Sequence, residues 1–311
     1  MKAVVTGSLV IDITIYPSKH FRTIKDFFAF PFDHKIQVDK ILVEVGGSGY
    51  NVSSTLTNFG NKVNYFGAVG KDTYGEMILK AMRNRKIRSK NVKIVGKDLT
   101  GFSLIFLYEG EKTIITYRGA NNHLSENDFK ESEFRNHDLF LFTSMTSKQN
   151  IGFIKCAIEV CKRIGLKIFC NPSIAMVENQ EDNLKKFIKE SDFVIMNKKE
   201  AFKLTKTNKI ELSVKRLKKM CKGIPIVTAG KHGSYVFDDR VKNFKAYNVE
   251  VIDTTGAGDT FTGAFIHSYY LTNDLEYSIK FANAAAALRI SSIERKIPNE
   301  KEVTQFMEEN S

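Results

Sequence analysis

The 311-residue chain lacks any uninterrupted apolar run close to the roughly 18 residues of a membrane-spanning helix, so no membrane partner is expected. It has only four cysteines, Cys156, Cys161, Cys170 and Cys221. None forms a C-x-x-C pair or sits beside a histidine cluster, which argues against a structural zinc site. They read as small core residues in a reducing, cytoplasmic compartment. The opening "MKAVVTGSLVIDITIYP" is too short and too β-branched for a secretory signal and reads as a strand running into a turn. No internal repeat, low-complexity tract or flexible linker is present. Two nucleotide-binding signatures are missing as well. There is no G-x-x-x-x-G-K-[S/T], which excludes a P-loop. The first strand leads into Gly7 alone, so a dinucleotide site of the G-x-G-x-x-G type is unsupported.

What is present suits a large α/β fold with a small appendage. Hydrophobic residues make up 42% of the chain, enough for a substantial core. The net charge of +12 is spread along the sequence, as around Lys90 to Lys97. In "VKRLKKMCK" (214–222), Val214, Leu217, Met220 and Cys221 share a helical face, so the lysines fall on the solvated one. No aromatic platform with interleaved lysines is evident, and no nucleic-acid partner is expected. A positive field also suits an anionic small substrate such as a nucleotide.

The periodicity predicts strands at 2–10, over 34–47, at 62–70 and around "HDLFLFTS", "LKIFCNP", "DFVIMN" and "IPIVTAG". It predicts helices at 51–60 (ending at Gly60), 74–87, "NIGFIKCAIEVCKRIG", "EDNLKKFIKES", "KKEAFKLT" and "ELSVKRLKKMCKG". This alternation implies a mostly parallel sheet covered by helices on both faces. Residues 100–121 differ: two β-rich runs flank "EGEK" with Gly110, a hairpin. Together with strands near 11–20 and 34–45 it would form a small β-sheet lid, from segments at about 10–45 and 98–120 of one domain spanning 1–311.

Two glycine clusters carry the chemistry. In "YNVEVIDTTGAGDTFTGAF", a strand-like run through Val249 and Val251 leads to a turn. Phe261, Phe265 and Tyr269 then recur at helical spacing. Gly256, Ala257 and Gly258 therefore sit at a helix N-terminus, where free N–H groups and the dipole favour an anion. Asp259 in the first turn either stabilises the helix start or acts as a base beside an anion cradle, the arrangement phosphoryl transfer to an alcohol needs. In "EVGGSGYNVSS", Gly46, Gly47 and Gly49 precede a helix with Asn51. This is either a plain turn or a close approach for a polyhydroxyl ligand, with Asn51 as donor and acceptor.

At these stretches the sequence resembles the ribokinase-like (PfkB) carbohydrate kinases, with their G-G-x-G-x-N and D-T-x-G-A-G-D signatures in order. The resemblance extends to "GAVGKDTYG" (67–75), "MNKKE" (196–200), "VTAGKHG" (227–233) and "FANAAAAL" (281–288). It implies Asp259 as catalytic base and Gly256, Ala257 and Gly258 as anion hole. It implies Asp12, Gly46, Gly47 and Asn51 as holders of substrate hydroxyls. Asn197 and Glu200 would act through water around Mg²⁺ and the phosphates. Thr228, Gly230, Gly233 and Asn283 would line the ATP groove. Simpler roles stand beside these: a turn cap for Asp12, a capped helix start for Asn197 and Glu200, tight helix packing for Asn283.

There are departures. "RISSIERKIP" (289–298) lacks the glycine of a family segment that helps bind a monovalent cation, so Asp253 is only a candidate for K⁺. Members that take ribose place a glutamate at the end of the mid-chain strand, and "FTSMTS" (142–147) has no acid. "CNPS" carries Asn171 where many relatives have an acid. The expectation is an ATP-dependent kinase for a hydroxymethyl group of a small sugar or sugar derivative, with a homodimer through the lid. A nucleoside is the alternative acceptor, its base held by Phe27, Phe28, Phe30 and Phe32. Neither the sugar nor the choice of ATP over ADP is legible.

Overall fold

The structure is a computed structural model that describes residues 1–16, 22–24, 27–30, 32–108, 111–292 and 296–310. Its larger sheet has nine strands. Their order is Val241–Phe244, Ser234–Phe237, Ile224–Thr228, Phe193–Asn197, Lys167–Cys170, Leu139–Phe142, Lys2–Thr6, Lys62–Gly70 and Arg88–Val95. Neighbouring strands pair in parallel except at one edge, where Ser234–Phe237 pairs antiparallel with both Ile224–Thr228 and Val241–Phe244.

The central strands are apolar along their whole length because helices cover both faces. Successive side chains alternate between those faces. Ala3, Val5 and Leu141 pack toward helices Ser48–Asn58, Ala257–Thr272 and Leu275–Ile290. Val4, Phe140 and Phe142 pack toward Lys148–Ile164, Glu181–Glu190 and Ile210–Met220. The helix Ser48–Asn58 ends as expected, with Gly60 just beyond it in the left-handed region at φ 78°.

A second sheet orders Lys40–Gly46, Val10–Tyr16, Gly101–Tyr108 and Glu111–Tyr117. The last two form the expected hairpin, although Glu109 and Gly110 of its turn lie outside the described residues. Asn121 fastens this sheet to the main body. Its Oδ1 accepts from Leu9 N–H at 2.8 Å and its Nδ2 donates to the Leu9 carbonyl at 2.7 Å. Asp72 holds the other end. It caps helix Thr73–Asn84 by accepting from Gly75 N–H at 2.8 Å, and it also accepts from the Thr100 N–H at 2.7 Å and hydroxyl at 2.6 Å. Thr100 immediately precedes the lid strand Gly101–Tyr108.

Three expectations need correction. Over 34–47 only Lys40–Gly46 is a strand, since the alternation of Ile36 and Val38 provides no partner edge. The run through Val249 and Val251 is not a strand. Both side chains line a cavity, and the Ile252 and Asp253 N–H groups donate to the Ile290 carbonyl. Strands Arg88–Val95, Ser234–Phe237 and Val241–Phe244 escaped notice. Two of them are edges, whose half-exposed residues carry little apolar signal.

Because Asp72 serves a helix cap and the lid hinge together, Asp72→Ala should lower stability by about 1–2 kcal/mol. Equilibrium urea unfolding measures this, and an unchanged midpoint would refute the double role.

Candidate active site

The strand order reverses at Lys2–Thr6, whose neighbours Lys62–Gly70 and Leu139–Phe142 lead to opposite edges. A crevice opens at the carboxyl ends of strands at such a reversal. The backbone crowds there. A Cβ on Gly7 would lie 1.9 Å from Thr143 Oγ1 and 2.9 Å from Gly49 Cα. This close approach seats the helix Ser48–Asn58. Ser48 Oγ donates to Thr143 Oγ1 at 2.8 Å, and its N–H donates to Ser8 Oγ at 3.2 Å.

The first glycine cluster is packed by protein atoms. A Cβ on Gly46 would meet the Asp12 carboxylate at 2.0 Å, and one on Gly47 the Ser8 carbonyl at 2.4 Å. Gly47 also has φ 97°, open to few residues besides glycine. These glycines bring Asp12, at the base of the lid, against the start of the Asn51 helix. Their missing side chains leave room for Asp12 and Ser8 rather than directly for a ligand.

The second cluster behaves differently. Gly256 caps helix Ala257–Thr272 with φ 77°, and Asp259 is the helix's third residue. A Cβ on Gly258 would have no neighbour within 4 Å. The first-turn N–H groups have no intrahelical acceptor. Ala257 N–H turns back to the Thr254 carbonyl at 3.3 Å, and Asp253 Oδ1 accepts from Thr255 N–H at 2.8 Å to hold the turn.

The two clusters meet. Asn51 Nδ2 donates to Asp259 Oδ2 at 2.8 Å across 208 positions of sequence. Burial pushes the Asp259 carboxyl up to about 7. The Asn51 hydrogen bond and the Arg289 charge oppose this rise, and the Asp12 charge adds to it.

Three cavities adjoin this helix N-terminus. One of about 320 Å³ is lined by Asp12, Glu44, Asn51, Thr255, Gly256 and Arg289. One of about 120 Å³ lies among Ser48, Asn171, Asn197, Glu200, Gly258 and Asp259. The third, about 360 Å³ and largely apolar, is bounded by Thr228, Gly230, Gly233, Gly258, Phe261 and Asn283. Gly258 borders both of the last two.

Several expected residues have structural duties here. Asn197 and Glu200 form a reciprocal cap. Glu200 N–H donates to Asn197 Oδ1 at 3.0 Å, and Asn197 N–H donates to Glu200 Oε2 at 2.8 Å. Burial, reinforced by the Asp259 charge, raises the Glu200 carboxyl to about 7 against the pull of the Asn197 N–H. Asn283 spends its amide on the protein, accepting from Ser234 Oγ and donating to the Phe244 and Lys245 carbonyls. It stands in the cavity wall without a free polar edge. Asp12 sits within strand Val10–Tyr16. Phe27 and Phe32 are exposed, Phe30 packs edge-on to Phe106 at 5.5 Å, and none of the four phenylalanines lines the three cavities. Arg289 was missed as a site residue. The signal for it was a lone charge at the end of the apolar, alanine-rich stretch "FANAAAALRI".

The family model for pfkB family carbohydrate kinases matches residues 1–302. The chain belongs to that family. It is therefore a phosphotransferase of the sugar and nucleoside kinase group, with the ribokinase-like α/β fold and its smaller separate sheet. Over 277 residues it is 28% identical to a ribokinase of Haemophilus influenzae, covering 86% of this chain and 88% of that one. The ribokinase of Arabidopsis thaliana, solved with ribose and ATP, superposes with TM-score 0.80 at 22% identity over 98% of each chain. An adenosine kinase of Sinorhizobium meliloti superposes with TM-score 0.81 at 22% identity, over 100% of this chain and 99% of that one. Among the described residues no helix is long and apolar enough to cross a membrane.

A carboxyl raised by burial destabilises its fold once ionised. For Asp259 the folded value lies above the ordinary one. Its stabilising contribution is complete at low pH and is lost as pH rises through about 7. Asp259→Asn in this kinase should therefore raise Tm by a few degrees at pH 8, a gain that shrinks toward pH 4. Calorimetry across that range tests it, and a pH-independent change would show that Asp259 is not held against its ionisation.

Proposed function

We propose that this kinase transfers the γ-phosphoryl group of ATP to a hydroxymethyl group of a small sugar or sugar derivative, with Asp259 as the base. The observation that carries the reading is the place of Asp259. Its carboxylate is hydrogen-bonded to Asn51, lies within electrostatic reach of Asp12, and stands next to Gly258, which has open space over its α-carbon and borders the apolar cavity.

The acceptor would lie on the side of Asp12, Gly46, Gly47 and Asn51, and the adenine nucleotide in the cavity walled by Thr228, Gly230, Gly233 and Asn283. Asp259 takes the proton of the attacking hydroxyl. The N–H groups at the helix start, Gly256, Ala257 and Gly258, would hold the charge of the phosphoryl group in passage, with Ala257 giving up its 3.3 Å bond to the Thr254 carbonyl. The residues also fit Mg²⁺ held through water. Glu200 is a buried carboxylate in the same cavity as Gly258 and Asp259. Mg²⁺ would neutralise charge on the β- and γ-phosphates.

The lid sheet would close over the acceptor and exclude water as a competing acceptor. Ile41, Val43 and Ile115 leave apolar surface uncovered on one face of that sheet, which supports a homodimer through the lid. A sugar is favoured over a nucleoside because the four lid phenylalanines stay outside the cavities beside Asp259.

Asp259→Asn should lower kcat by roughly 10²- to 10⁴-fold with nucleotide Kd nearly unchanged. ADP release, measured over a panel of sugars, sugar phosphates and nucleosides, checks this and names the acceptor. Wild-type turnover in the variant ends the base assignment. Gly258→Ala separates the passage from the fold. Its methyl would meet no protein atom, so Tm should hold, while kcat/KM should fall by about 10²-fold or more as the methyl enters the phosphoryl path. A fully active Gly258→Ala enzyme would place the transfer elsewhere.

A further inference from the structure

Arg289 occupies the last turn of helix Leu275–Ile290 and is only 9% exposed. The next residue fixes its surroundings. The Ile290 carbonyl accepts from the Ile252 and Asp253 N–H groups at 2.9 and 3.1 Å, which ties the end of this helix to the loop entering the anion-hole turn. Across that tie the guanidinium comes close behind the turn. Its nearest nitrogen would lie 3.4 Å from a Cβ on Gly256, the residue that caps the Asp259 helix.

Arg289 shares its cavity with charges from several elements. Asp12 and Glu44 face it from the lid sheet, and Arg85 from the end of helix Thr73–Asn84. Asp259 feels Asp12, Arg289 and, from the far side, the Glu200 carboxyl. Tyr65, on strand Lys62–Gly70, also lies within electrostatic reach of Asp259. Of these groups only the two arginines carry positive charge, and only Arg289 lowers the Asp259 carboxyl.

We propose that Arg289 is a positioning residue for phosphoryl transfer: a fixed side-chain cation that braces the 255–258 turn from behind and supplies positive potential to it. The physical case rests on permanence and place. A guanidinium stays protonated at every working pH. Behind a helix N-terminus it adds to the dipole that already favours an anion there. In a partly dehydrated site such a charge acts at far greater strength than in water. It does two things. It favours the ionised form of the Asp259 carboxyl, in opposition to its burial, and it stabilises negative charge on the phosphoryl group crossing the turn.

The inference rests on Asp259 being the base, and two sets of variants separate the claims. In Arg289→Gln, kcat should fall about 10²-fold, nucleotide Kd should change little, and the acid limb of kcat/KM should move to higher pH. Arg289→Lys keeps the charge and should keep the acid limb near that of wild type, with a smaller loss of kcat. A merely structural arginine would instead lower Tm in both variants and leave the pH profile in place. Normal kcat with an unmoved limb in Arg289→Gln, beside an inactive Asp259→Asn, overturns the arginine's role alone. An active Asp259→Asn enzyme overturns the base assignment whatever Arg289 does. Should the glutamine variant fail to fold, the lysine variant decides: a displaced acid limb there refutes the argument from charge.

Discussion

The hydrogen bond from Asn51 to Asp259 is the contact on which the site depends. It joins the first turns of two helices that enter the crevice from opposite ends of the chain. Helix Ser48–Asn58 is seated by the bonds of Ser48 to Ser8 and Thr143, and helix Ala257–Thr272 by the loop bonded to the Ile290 carbonyl. Each anchor belongs to the strand reversal or to the helix layer beside it. The carboxylate thus meets an amide donor because the parallel sheet has already brought the two helix starts together.

That carboxylate is held in tension. Burial and the Asp12 charge favour its neutral form, while Asn51 and Arg289 favour the ionised one. A carboxyl balanced near neutrality would suit the proposed proton transfer from an alcohol, at a cost carried by the fold. Glu200 shows the same balance of burial against a backbone donor. Two buried acids near one helix N-terminus suit a ligand that arrives with a cation.

The glycines divide by what fills the space beside them. At Gly7, Gly46, Gly47 and Gly49 the neighbour is another part of the chain, so those residues let the lid base, the first strand and the Asn51 helix approach closely. At Gly258 the space is empty. One residue type in two similar-looking motifs therefore serves packing in the first and leaves open space in the second. No local pattern could separate the two roles, because the atoms concerned come from Ser8, Asp12 and Thr143.

By itself the sequence determined the alternating order of strands and helices, the hairpin at 101–117, and the two glycine motifs with Asp259 and Asn51, because these depend on local periodicity and turn chemistry. It could not reveal the edge strands Arg88–Val95 and Val241–Phe244, whose pairing comes from a neighbouring strand rather than from their own apolar content. Nor could it show that the amide of Asn283 is spent on the Phe244 and Lys245 carbonyls, or that Arg289 lies behind Gly256. Those facts were decided only by the tertiary structure. Hydrogen bonds and charge act through space over a few ångströms, and which residues come that close is fixed by how the sheet orders its strands.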